Sequence, residues 1–186
     1  MGEKQKMINV AITGHRPDAF LVSHYSLEEL QRRASDIVAI FKREHGDDLC
    51  FNVGGAIGTD LWVGQACIEH NVKFHLFLPF SPDVQSKYWT EEQVGMLKGQ
   101  LSKASGIDIV NPNGYSKKDY YIRNTRMVDA ANFVVAFWVG KKAGGTFNCI
   151  DYALKKNKFV FNALNGLRPI FKNDLEIGWT PNRLRK

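Results

Sequence analysis

Two short stretches of this 186-residue chain place glycines where backbone can reach a ligand. The first is Gly54-Gly55-Ala56-Ile57-Gly58-Thr59, after the apolar run Leu49-Cys50-Phe51-Asn52-Val53. The second is Gly140-Lys141-Lys142-Ala143-Gly144-Gly145-Thr146, after Phe133-Val134-Val135-Ala136-Phe137-Trp138. Each lies between a strand pattern buried on both faces and the start of a helix, with Thr146 as the predicted N-cap of the second helix. Glycines there let backbone approach a ligand, and the free N–H groups of a helix start attract an anion. Two such turns predict one phosphate-binding crevice. The competing reading is that the glycines only permit tight strand-to-helix packing. Neither stretch has the full dinucleotide spacing, and no Walker A sequence occurs, so P-loop ATP hydrolysis is not expected.

Other residues bear chemistry of their own. Arg16, with His15 behind Gly14, can fork onto a phosphate or carboxylate, while His15 can donate to the same ligand or merely satisfy backbone. Asp60 follows Thr59 in the first turn of a predicted helix, where a carboxylate caps the helix, holds a ribose hydroxyl or acts on a glycosidic bond. Tyr120, Arg123, Asn124, Arg126, Met127 and Asp129 share one helix. Arg123 and Arg126, three apart, can face one groove. Spacing alone favours the plainer reading, a surface salt-bridged as Asp119–Arg123 and Arg126–Asp129. His24, His45, His70 and His75 have no ligand spacing, and the three cysteines (Cys50, Cys67, Cys149) have neither metal nor disulfide spacing; no metal site is expected. Trp62, Trp89 and Trp138 read as packing residues.

The elements that must position these residues alternate. Met7–Ile12 reads as the first strand. Ser26-Leu27-Glu28-Glu29 is a capping box opening a helix to about His45. Strand two, the first glycine turn and a helix from Thr59 to His70 follow. Lys73–Leu78 is strand three, ended by an irregular loop at Pro79-Phe80-Ser81-Pro82. Thr90-Glu91-Glu92-Gln93 opens a helix to about Ala104, then come a short strand at Ile107–Val110 and a helix from Lys117 to Ala131 capped by Ser116. After the second glycine loop, a helix to about Asn157 leads to a last strand at Lys158–Asn162. Strict alternation implies an α/β, Rossmann-like, doubly wound and mostly parallel sheet with helices on both faces. Ligands in such sheets bind beyond the carboxyl ends of the strands, where strand order reverses. That edge carries His15, Arg16, both glycine turns, Lys117, Lys118, Lys141 and Lys142. The chain is expected to be one domain, with a core over about residues 7–162 and a C-terminal extension at 163–186 that ends basic (Arg183, Arg185, Lys186).

The net charge of +6 is unevenly placed: residues 1–110 carry −3 and residues 111–186 carry +9. The excess sits with the second glycine loop and suits a phosphate-bearing partner. No apolar run approaches the roughly 18 residues needed to cross a membrane, and the N-terminus lacks a signal-peptide core. A cytoplasmic protein with buried thiols is the expectation.

Taken together, Thr13-Gly14-His15-Arg16-Pro17, Gly54-Gly55-Ala56-Ile57-Gly58-Thr59-Asp60, Arg123-Asn124 with Met127-Val128-Asp129, and Gly144-Gly145-Thr146 resemble the SLOG superfamily. The likeness is to its small YpsA/YspA-like branch, related to the Rossmann domain of DprA. It spans roughly residues 7–162. It implies a Rossmann-like fold and a pocket lined by Gly14, Arg16, Gly54, Gly55, Gly58, Thr59, Asp60, Arg123, Asn124, Gly144, Gly145 and Thr146. Members include LOG phosphoribohydrolases, single-strand DNA binders such as DprA, and proposed sensors of NAD- or ADP-ribose-like signals. The LOG motif Pro-Gly-Gly-x-Gly-Thr-x-x-Glu is not met: Cys149 stands where its catalytic Glu would be, and Ala143 replaces its proline. Asp151 lies two residues on, roughly 200° further round the helix. Glycosidic hydrolysis needs a carboxylate at the reacting centre, so LOG-type catalysis is not expected.

The function expected is therefore a sensor or sequestering protein for a phosphorylated small molecule of the nucleotide class, ADP-ribose- or NAD-like, with a bound nucleotide but no required cofactor. The alternative is an N-glycosidase or deoxyribosyl-type enzyme using Asp60 or Glu69, and the third is DprA-like single-stranded DNA binding through the +9 half. Nucleic acid ranks below a small molecule as partner, and no membrane partner is expected. Edge-to-edge homo-oligomers are common in such folds, but nothing in the sequence demonstrates one.

Overall fold

The computed structural model describes residues 7–20 and 23–177. Seven strands form one sheet: β1 (Ile8–Gly14), β2 (Leu49–Val53), β3 (Lys73–Phe80), β4 (Gly106–Asn111), β5 (Phe133–Phe137), β6 (Val160–Asn162) and β7 (Arg168–Pro169). Their order is β4-β3-β2-β1-β5-β6-β7. Every neighbouring pair is parallel except β6–β7. The chain walks outward from β1 to β4, then returns to β5 on the other side of β1. Strand order therefore reverses between β1 and β5, and the carboxyl ends there form a natural crevice.

The helices are α1 (Pro17–Phe20), α2 (Leu27–His45), α3 (Thr59–Glu69), α4 (Pro82–Ser86), α5 (Glu91–Lys103), α6 (Lys117–Asp129), α7 (Gly145–Lys155) and α8 (Lys172–Ile177). Right-handed crossovers put α2, α3 and α5 on one face of the sheet and α6 and α7 on the other; α3 packs against both α2 and α5, and α6 against α7. Because both faces are covered, the central strands are mostly apolar, with Thr13 and Asn52 among their few buried polar residues. Val10, Ala11 and Ile12 of β1 and Val134 to Phe137 of β5 are wholly buried. These two strands flank the reversal point, so the crevice has a rigid floor.

Local chemistry sets the helix starts. Ser26 Oγ accepts from the Glu29 amide at 3.1 Å while the Ser26 amide donates to the Glu29 carboxylate at 2.9 Å, the reciprocal capping box read from the sequence. Thr90 and Gln93 repeat it for α5 at 3.3 and 3.1 Å. Strand β3 runs two residues further than expected, through Pro79 to Phe80. Strand β2 has ended by then, its Val53 opposite Leu76, so on that side no ladder bond remains for the missing N–H to break. Strand β6 starts later than expected, at Val160. The extension after residue 162 adds β7, antiparallel to β6, and α8. The N-terminal Met1–Lys6 and the basic end at Arg183, Arg185 and Lys186 lie outside the described residues. No described helix is long and apolar enough to cross a membrane.

Ser26→Ala removes one half of the α2 capping box. We expect a loss of about 1 kcal/mol and a Tm lower by roughly 2–4 °C. Thermal and urea unfolding check this, and a Tm equal to wild type would show that water replaces the cap at no cost.

Candidate functional site

A cavity of about 600 Å³ opens at the carboxyl ends of β1 and β5. The end of β1 gives it Gly14, His15 and Arg16, and the first glycine turn gives Ala56, Ile57 and Asp60. Helix α6 contributes Tyr120, Arg123, Asn124 and Met127, and the second glycine loop contributes Lys141, Ala143, Gly144, Gly145 and Thr146. Both glycine turns thus border one cleft. They do so in different ways.

The second loop presents an open helix start. Trp138 is wholly buried, and its indole N–H donates to the Lys141 carbonyl at 2.9 Å, holding the loop over the sheet. Asn162 fixes the other side: its Nδ2 donates to the Trp138 carbonyl at 2.9 Å and its Oδ1 accepts from the Leu164 amide at 3.1 Å. The N-cap of α7 is Gly144, at φ 90° and ψ −176°, a backbone conformation that strains any residue with a Cβ. Thr146 is consequently not the N-cap; it lies inside the first turn with its side chain buried. No side chain caps this end, and among the described residues the Gly145 and Thr146 amides have no protein acceptor. Lys141 stands beside them, and Asn124 Nδ2 reaches the Gly145 carbonyl at 3.5 Å. Lys142 turns away and donates to the Glu176 carbonyl.

The first turn is closed by the chain's own groups. Asp60 Oδ2 accepts from the Ala56 amide at 3.3 Å and lies 3.6 Å from Arg123 Nη1. That guanidinium also donates to the Gly54 carbonyl at 2.5 Å. Gly54 is needed because a Cβ there would overlap the Arg123 guanidinium and approach Asp60 Oδ2 to 2.7 Å. Gly55 sits against Leu78, and its carbonyl accepts from Gln85 Nε2 at 2.5 Å. Gly58 lies against Pro17 and the His15 carbonyl, which also accepts from Thr59 Oγ1 at 3.2 Å. Gly54, Gly55, Gly58 and Thr59 therefore stand behind the cleft rather than along it. For these four positions packing is the physical reason for the sequence.

The charge pairs also differ from those that spacing favoured. Arg123 is buried against Asp60, not paired with Asp119. Asp119 accepts from Asn111 Nδ2 at 2.9 Å, Arg126 pairs with Asp108 at 2.5 Å, and Asp129 accepts from the Tyr152 hydroxyl at 2.9 Å. Burial pushes the Asp60 carboxyl above the ordinary carboxylate value, opposed by Arg123 and by backbone N–H groups. His15 is driven down to about 4 by burial, then by Lys141, so it is neutral at physiological pH. Its ring meets Phe20 edge-on, and its Nε2 is buried without a partner.

Glu69 ends α3 at the pole away from the cleft and accepts from Gln65 Nε2, so it does not join the site. Cys149 is buried and absent from the cleft wall, its thiol raised to about 11 by burial. Asp151 pairs with Lys155 at 2.6 Å on the outer side of α7. Three cleft residues escaped sequence reasoning: Asp18, Ala19 and Tyr115. Tyr115 is exposed and packs tilted against Phe80 with ring centroids 4.7 Å apart, and Tyr120 meets the same Phe80 ring edge-on at 5.1 Å. Its only sequence signal is its place in the turn just before α6. Among the described residues no cluster of three metal-ligating side chains occurs.

Two outcomes follow from these charges. As pH falls from 6.5 to about 4, the unfolded chain protonates His15 while the native one does not. Stability therefore drops across that window, by roughly 3 kcal/mol at the low end, and His15→Gln should flatten the slope of urea-unfolding stability against pH. Arg123→Met leaves Asp60 buried without its cation and should cost about 3–5 kcal/mol at neutral pH. That deficit shrinks in acid, because a native carboxyl with a raised pKa takes up its proton before the unfolded one does. A pH-independent deficit would refute the buried-charge account.

No protein-family model matches the chain. Among solved structures it is similar to DNA processing protein A (DprA) from Helicobacter pylori, a structure described for its single-stranded DNA binding mode. That match has a TM-score of 0.59 at 18% identity and covers 87% of this chain and 68% of the other. DprA from Streptococcus pneumoniae matches with a TM-score of 0.57 at 16% identity over 87% of this chain, which spans about half (53%) of that protein. The structure of TM1055 matches with a TM-score of 0.54 at 17% identity, covering 83% and 72% of the two chains. These likenesses show a shared Rossmann-like α/β fold. The sequence itself is 31% identical over 147 residues, 68% of this chain and 81% of the relative, to the uncharacterized SPbeta prophage-derived protein YoqJ of Bacillus subtilis (strain 168). The chain belongs to the family of YoqJ.

Proposed function

We propose that this protein is a SLOG-type binding protein that captures a phosphorylated, nucleotide-class small molecule in the cleft between β1 and β5, as a sensor or sequestering protein. The observation that carries the reading is the uncapped start of α7. There the Gly145 and Thr146 amides, without a protein acceptor, border a cavity that also holds Arg16, Lys141, Tyr115 and Tyr120. Amides, helix dipole and cations favour a phosphoryl group, and Tyr115 with Tyr120 offers an apolar surface to a base. Turnover is left out of the proposal: Asp60 is held by Arg123, and Cys149 occupies the LOG catalytic position. Should an enzyme be present, Asp60 is the carboxylate in place to serve it, and base release would reveal it.

A second reading, single-stranded DNA, is favoured by the fold shared with DprA and by the +9 charge of residues 111–186. It requires an affinity that falls steeply with salt.

The test uses Gly145, where a Cβ meets nothing nearer than Asn124 Nδ2 at 4.0 Å. Gly145→Val keeps the fold while filling the space before the free amides. AMP, ADP-ribose and NAD are titrated by thermal shift and calorimetry, and base release is followed by chromatography. At least one of them should raise the wild-type Tm, and Gly145→Val should lose that shift at least tenfold in Kd. No shift with any of them sinks the small-molecule reading, while salt-sensitive binding of an oligonucleotide would put the second in its place.

A further inference from the structure

The two glycine turns that border the cleft differ in what already occupies them. Neither helix start has a side-chain cap, but the turn before α3 already holds the Asp60 carboxylate, which takes the Ala56 amide at 3.3 Å and stands 3.6 Å from the Arg123 guanidinium. Arg123 is further committed to the Gly54 carbonyl at 2.5 Å, and Gly54 lacks a side chain so that this contact can exist. The first turn thus carries an internal anion where a second phosphate would otherwise sit. We infer that Asp60 is the specificity-determining residue of the cleft, admitting ligands with a single phosphoryl group and reading sugar hydroxyls at the opposite end. The inference rests on the small-molecule reading above and narrows it.

The charge of the cleft wall agrees. Arg16, Lys117, Arg123 and Lys141 face Asp18 and Asp60, a balance of +2 with His15 neutral. One phosphomonoester carries about −1.5 to −2 at pH 7, which matches it. A second phosphoryl group would overshoot and stand against a buried carboxylate, where repulsion is poorly screened. An ionised carboxylate accepts up to about four hydrogen bonds and donates none. Asp60 spends part of that capacity on the Ala56 and Gly54 amides and on the Arg123 guanidinium, and it lines the cleft with the remainder. A hydroxyl donor satisfies that capacity, and an oxyanion cannot.

The test compares three probes by calorimetry at fixed salt: AMP, 2′-deoxyadenosine 5′-monophosphate and adenosine 3′,5′-bisphosphate. Wild-type protein should bind AMP at least tenfold more tightly than the bisphosphate, and more tightly than the deoxy compound. Asp60→Asn should narrow the gap to the bisphosphate. Because that variant strands Arg123, the double variant Asp60→Asn/Arg123→Gln removes both charges together and is measured beside it. Equal or tighter binding of the bisphosphate by wild-type protein overturns the inference while the small-molecule reading stands. Binding of none of the three overturns the inference, and the small-molecule reading falls with it only where ADP-ribose and NAD fail to bind as well.

Discussion

The constraint on which the site depends is a guanidinium buried between two loops. Arg123 leaves α6 on one face of the sheet, crosses the carboxyl ends of the strands, and ends on Gly54 and Asp60, which belong to the turn between β2 and α3. A buried charge without a partner costs several kcal/mol, so each group is obligatory once another is present. The glycine at 54, the carboxylate at 60 and the arginine at 123 form one unit drawn from distant parts of the chain. It fixes how far apart α3 and α6 stand, and hence how wide the cleft opens.

That unit also breaks the apparent symmetry of the molecule. Two strand–glycine–helix passages look alike in sequence, and both reach the reversal point of the sheet. Neither helix start has a side-chain cap, but the turn before α3 carries an internal carboxylate, Asp60, held by the Ala56 amide and Arg123, whereas no such anion stands at the start of α7 among the described residues. The internal ion pair contributes rigidity, and the start without one contributes affinity for whatever anion arrives. The turn with the ion pair is also the more tightly packed, with Gly58 and Thr59 wedged against the loop that carries His15 and Arg16. Rigidity on one wall presents the cationic loop to the other.

The alternation of elements was legible because apolar runs and capping boxes act locally: Ser26 with Glu29 and Thr90 with Gln93 stand as read. The gathering of both glycine turns at one crevice was legible too, since a doubly wound sheet leaves few alternatives. Long-range partnerships were not. Spacing paired Arg123 with Asp119 because neighbours four apart on a helix are all that one segment reveals, whereas its true partner lies 63 residues away. Thr146 looked like an N-cap because threonine commonly serves as one. Gly144 takes that role instead, its positive φ placing the helix start two residues earlier. Tyr115 gave no periodic signal, since an isolated loop residue has none, and its place on the cleft wall beside Tyr120 emerges only in the folded chain.

Burial does one more thing for the cleft. His15 stands beside Arg16 at the end of β1, and a protonated imidazole there would add a fifth positive charge to the wall. Desolvation holds its pKa near 4, so the charge of the histidine does not change across the physiological range. Cys149 below is held as a neutral thiol by the same exclusion of water. The cations that remain on the wall are arginines and lysines. A phosphomonoester titrates with a second pKa near 6. Under the proposed phosphoryl-binding reading, binding strength near neutral pH follows the ionisation of the ligand.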